Sequence, residues 1–133
     1  MLVAKDGDTG GRAYTLDIKQ STGQLRFYIN GGGGSFIVNS TAGLTNDTWG
    51  FVVGTYDHAA DGGTLKIYKD GVLSQTATGA GGSIPTATAH VLIARRSYTG
   101  AETPLDGSMD DVRIYNTTLD ATAISDLFDA GPE

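Results

Sequence analysis

Apolar and polar residues alternate with a period of two along most of this chain, as strands with one buried face require. Tyr14-Thr15-Leu16-Asp17-Ile18 alternates in this way, and Leu25-Arg26-Phe27-Tyr28-Ile29 follows after a Ser21-Thr22-Gly23 turn, so the two predict a hairpin. Gly31 to Gly34 break the chain before a short strand at Phe36-Ile37-Val38. Trp49 to Tyr56 is uncharged and β-rich, which predicts a central strand with both faces covered. Leu65 to Lys69 and Val72 to Thr76 flank Asp70-Gly71, a pair suited to the two positive φ angles of a type I′ turn. Further strands are expected at His90 to Arg95 and at Ser108 to Tyr115.

Helical spacing occurs once, over Ala121 to Phe128. Asp120 is a good N-cap, and Leu119 before it can staple onto Ile124. Two turns cannot stand alone in water, so Ile124, Leu127 and Phe128 must dock on the strands. The pattern predicts an all-β fold: an antiparallel two-sheet jelly-roll sandwich with one short C-terminal helix. Its expected core comprises Leu16, Leu25, Phe27, Trp49, Val53, Ile67, Ile93, Val112, Ile114 and Leu127.

At 133 residues the chain reads as a single domain, residues 1–133, and the 39% of hydrophobic residues can fill a core. Twenty glycines against three prolines fit many tight turns. A net charge of −6 excludes a nucleic-acid partner, because nothing here neutralises a phosphate backbone. Without cysteine there is no disulfide, thiolate metal site or thiol nucleophile. No apolar run is long enough for membrane insertion, and the first residues turn polar too soon for a signal peptide.

Two segments together resemble laminin-G-like domains of the concanavalin A-like jelly-roll type. One is Trp49-Gly50-Phe51-Val52-Val53-Gly54-Thr55-Tyr56-Asp57 followed by Leu65-Lys66-Ile67-Tyr68-Lys69-Asp70-Gly71. The other is Gly107-Ser108-Met109-Asp110-Asp111-Val112-Arg113-Ile114-Tyr115-Asn116, then Leu119 and Ile124. The resemblance covers roughly residues 45 to 128. It implies rim loops that bind ligand, and an extracellular or surface-exposed location. It departs from the family pattern at Phe51, where a His is common, and at Ala123, where a Glu is common. One or two strands that usually open the domain are also missing, which leaves the closing strand Asp110 to Tyr115 with an unpaired edge. A homo-oligomer, or a place within a longer polypeptide, is therefore expected.

Asp110 and Asp111 are the most suggestive polar pair. On a strand they face opposite sides, so they cannot converge on one substrate, and Asp110 is expected to point inward toward a partner or an ion. Asp6, Asp8, Asp57 and Asp61 lie in loops, where Asp commonly makes Asx-turns. Any metal should be Ca²⁺, with Asp110 and Asp57 as first ligands, because carboxylates abound and thiols are absent. His58 and His90 belong to no catalytic motif, and Asp6 to Arg12 lacks the lysine of a phosphate loop and reads as a turn. Arg96 and Tyr98 are the candidate ligand-binding residues, since an aromatic ring stacks on sugars and guanidinium forks to hydroxyls and carboxylates. Glycosidases on this fold use paired carboxylates, yet Glu occurs only at Glu102 and Glu133, so no catalytic residue is assigned. The sequence points to a non-catalytic module that binds a glycan, surface polymer or surface protein. The alternative is a self-assembling subunit of a surface layer, appendage or virus particle.

Overall fold

The computed structural model describes residues 1–6, 11–31, 34–96 and 104–132. The chain forms β1 (Val3–Lys5), β2 (Tyr14–Ile18), β3 (Gln24–Gly31), β4 (Gly34–Gly43), β5 (Val52–Asp57), β6 (Thr64–Lys69), β7 (Val72–Thr78), β8 (Val91–Ile93) and α1 (Ala121–Ala130). Two antiparallel sheets result, one of five strands in the order β4-β3-β2-β1-β8 and one of three in the order β5-β6-β7. This is the expected sandwich with its terminal helix.

Local chemistry explains the two hairpins. At the β2–β3 turn the Gly23 N–H donates to the Lys19 carbonyl at 2.8 Å, with Gly23 at φ 68°, so Asp17 faces Arg26 and Thr15 faces Tyr28. At the β6–β7 turn Asp70 and Gly71 have φ 52° and 77°, the two positive angles that a type I′ turn needs. The core lies between the sheets, where Leu25, Phe27, Ile29 and Val38 meet Leu65 and Ile67. Asp120 caps α1 by accepting from the Ala123 N–H at 2.8 Å. The helix buries Ile124 and sets Phe128 against Phe51, ring centroids 5.8 Å apart.

The sheets are unequal, and the smaller one does not cover the larger. It packs most extensively on β4 through β6 and β7 and on β3 through β6, while β5 meets β3 at Gly54 and Phe27. The core-facing side of β1 and β2 therefore has no strand opposite it among the described residues.

Four expected core residues are corrected by this geometry. Trp49 is 73% exposed, because it sits in the loop before β5 and not in the strand. Ile93 is 50% exposed on β8, the outer edge of the larger sheet, opposite Val3 and beyond the reach of the smaller sheet. Val112 and Ile114 are exposed as well, since Ser108 to Tyr115 forms no ladder. Asp111 explains that last difference: its φ of 48° lies in the left-handed region, which strand backbone does not visit. The expected inward-pointing Asp110 is exposed for the same reason, and its Oδ1 accepts from the Asp111 N–H at 2.8 Å.

Candidate functional site

The open side of β5 is the first candidate. Phe51, just before the strand, donates its N–H to Asp70 Oδ1 at 3.0 Å and accepts from the Asp70 N–H at 2.8 Å, so its peptide groups point toward β6. Strand alternation then turns those of Val52, Gly54 and Tyr56 the other way. The Tyr56 carbonyl confirms the direction, because it accepts from Thr118 Oγ1 at 2.8 Å on that open side. Among the described residues, the remaining outward peptide groups of Val52, Gly54 and Tyr56 have no partner.

This open edge borders a cavity of about 630 Å³. Val3, Tyr14, Leu16 and Phe27 form its floor, β5 forms one wall, and Asp111 with Arg113 to Leu119 lies on another. Burial raises the Tyr14 hydroxyl pKa, and burial and then Asp57 raise that of Tyr56, so both stay protonated at neutral pH. The Tyr56 hydroxyl donates to the Gly82 carbonyl.

Among the described residues two carboxylates touch this cavity, and both are already engaged. Asp57 Oδ1 accepts from the N–H groups of Ala59 at 2.9 Å and Ala60 at 3.3 Å. Asp111 Oδ1 accepts from Arg113 Nε at 2.6 Å.

Asp57 lines the cavity and Asp110 does not. Among the described residues no three His, Asp or Glu side chains converge. Asp61 lies exposed in a turn with φ 49°. His58 is exposed at the cavity rim, and His90 is exposed beside β8. Asp8, Tyr98, Glu102 and Glu133 lie outside the described residues.

Arg96 belongs to a second site, on the opposite face of the larger sheet. Arg26 clamps buried Asp17 through Nε at 2.9 Å and Nη2 at 3.0 Å. Asp6, also buried, pairs with Arg12 Nε at 3.1 Å and with Arg96 Nε. The Arg12 guanidinium lies 4.7 Å from the centre of the Tyr28 ring. Arg12, Arg26 and Arg96, with Thr15, Asp17, Tyr28, Ile37 and Met1, line a recess of about 180 Å³. Sequence reasoning found only Arg96 here. The Asp17–Arg26 pair was legible in principle, since both residues sit on the polar side of strands that flank one short turn.

A family described as the concanavalin A-like lectin/glucanases superfamily, laminin G type 3, matches residues 1–125. None of the curated proteins matches. Among solved structures, the S-layer domain-containing protein (residues 221–444) from Clostridium thermocellum ATCC 27405 resembles this chain with a TM-score of 0.54 at 20% identity. The likeness covers 92% of this chain and 65% of that one, so the chain spans just under two-thirds of the neighbour's length. It bears on the fold. Among the described residues no helix is long and apolar enough to cross a membrane.

Proposed function

We propose, for a chain that belongs to the concanavalin A-like lectin/glucanases superfamily, a non-catalytic role in assembly at a cell surface, in which an extended strand of another copy adds beside β5. The observation that carries this reading is the uncovered side of the sandwich. The smaller sheet stops at β5, while β1 and β2 continue beneath it. Outward peptide groups on Val52, Gly54 and Tyr56 ask for a polypeptide partner, because an unpaired edge is a template for strand addition. The space has the right size. With strands about 4.8 Å apart, sheets about 10 Å apart and a rise of about 3.3 Å, each inserted residue fills roughly 160 Å³. The cavity of about 630 Å³ thus takes about four residues, against the six of β5. The apolar floor of Val3, Leu16 and Phe27 would bury the alternate side chains of the incoming strand. The fold shared with an S-layer domain-containing protein supports a surface setting.

Light-scattering mass at micromolar concentration tests the reading. The chain is expected to exceed its 13.8 kDa monomer mass, and Val52→Pro to return it to monomer. Proline removes an outward N–H that the native sheet does not use, and an edge strand tolerates it there. Hydrogen exchange gives the second readout: the Val52 and Gly54 amides are expected to be protected in the oligomer and to exchange fast on dilution. A monomer in which those amides exchange freely rejects assembly through this edge.

Calcium at the Asp57 rim is a separate proposal, and it needs oxygens beyond the carboxylates described above. It predicts a melting midpoint that rises with added Ca²⁺ and falls back in EDTA, as for any ligand bound only by the folded state. Equal midpoints in the two conditions remove it. Saccharide binding near Arg96, the other role this fold suggests, is a further separate proposal.

A further inference from the structure

An acceptor edge needs a donor strand, and a donor must have peptide groups of its own to offer. Each strand of the two sheets is already held by at least one ladder. Residues 110–118 differ from all of them. They are exposed throughout, and residues 108–115 join no ladder among the described residues. Val112, Ile114 and Tyr115 are nevertheless large apolar side chains left in solvent. Clustered apolar surface of this kind marks an interaction site.

We infer, resting on the strand-addition reading of β5, that the donated strand is residues 112–115 of the second copy. Length agrees first. The cavity beside β5 takes about four residues. Asp111, with φ 48°, stops the extended run just before Val112. Pattern agrees next. In an extended run Val112 and Ile114 share one face, which can bury against the floor of Val3, Leu16 and Phe27. Arg113, whose Nε lies 2.6 Å from Asp111 Oδ1, falls on the other face. Direction then favours a second copy over the chain's own segment. Thr118 Oγ1 donates to the Tyr56 carbonyl at 2.8 Å, which ties it beside the end of β5. From there the preceding residues reach back along β5 only in the parallel sense. Every ladder in both sheets is antiparallel, the more stable pairing. A strand from another copy is free to enter that way.

The chain has no cysteine, so variants with a single one report which copies meet. Tyr115→Cys is mixed with Val53→Cys on β5, or with Thr76→Cys on β7 at the other edge of the same sheet, and treated with a short bismaleimide. A bridge between two different variants always joins two copies. Tyr115→Cys is expected to bridge to Val53→Cys and not to Thr76→Cys. Ile114→Asp is expected to weaken self-association at least about tenfold, because it would bury a charge in the slot. Its melting midpoint at high dilution should match the wild type, since Ile114 is exposed in the single chain. Ile114→Val should retain association. If Val52→Pro abolishes an oligomer that Ile114→Asp leaves intact, β5 accepts some other strand and this donor is overturned. Bridging to Thr76→Cys as readily as to Val53→Cys overturns it as well. A monomeric wild-type chain overturns the strand-addition reading, and the donor with it.

Discussion

Ile67→Ala is expected to destabilise the fold by about 2–5 kcal/mol, the range for deleting a fully buried branched side chain. Ile67 has no exposed surface and lies in β6, the middle strand of the smaller sheet. Its side chain packs in the cluster formed with Leu25, Phe27, Ile29, Val38 and Leu65. Two features push the cost toward the upper end. β6 is held by ladders on both sides, to β5 and to β7, so its backbone cannot shift to fill the vacancy. Ile67 also comes from the thinner of the two layers, where few other side chains can move in. Urea unfolding gives the measurement, with the midpoint lowered and the slope unchanged if only stability has altered. A loss below about 1 kcal/mol would mean that the site collapses freely and that the inter-sheet core is not packed around this residue.

The contrast between Ile67 and Ile114 shows where sequence patterning stops. Both occupy apolar positions in alternating segments, and both were expected inside. Ile67 is buried because a second sheet lies across from it, whereas Ile114 is 57% exposed in a segment that joins no sheet among the described residues. Alternation records which side of a strand is apolar. Whether another layer covers that side is a non-local fact. Turns and caps were legible for the opposite reason: Asp70-Gly71 and Asp120 act through their own backbone and near neighbours. β1 went unread because three residues carry little pattern, and it exists through pairing with β2 on one side and β8 on the other.

The same distinction governs the sites. Asp6 looked like one more turn aspartate, and its burial depends on Arg12 nearby and Arg96 at the far end of the chain. Asp110 looked like a buried strand carboxylate, and a left-handed residue beside it removed the strand. Arg96 was singled out for its chemistry, and its partners came only with the fold. The open edge of β5 was invisible in the residues of β5 themselves. An uncharged run such as Phe51 to Tyr56 reads as central, and its side chains are indeed half-buried or buried. What it lacks is a neighbour for its peptide groups, and a side-chain pattern carries no record of that.

Gly54→Ala is expected to cost about 1–3 kcal/mol by overpacking, and the loss should shrink when Phe27 is also made smaller. Gly54 lies in β5 with its α-carbon against the Phe27 ring, and a methyl group there would come within 2.7 to 3.0 Å of three ring atoms. Its backbone angles are ordinary, so the cost comes from contact and not from lost φ freedom. Alanine would in fact favour a strand slightly over glycine. Phe27 is itself buried and cannot swing into solvent, so relief requires β5 to move away from β3. That motion would widen the floor of the cavity beside β5 and misplace the outward peptide groups of Val52 and Tyr56. A double-mutant cycle with Phe27→Leu isolates the contact. The combined loss is expected to fall short of the sum of the single losses by about 0.5–3 kcal/mol, because leucine leaves room for the new methyl. Strictly additive losses would show that β5 and β3 do not meet at this pair, and the description of the cavity floor would fall with it.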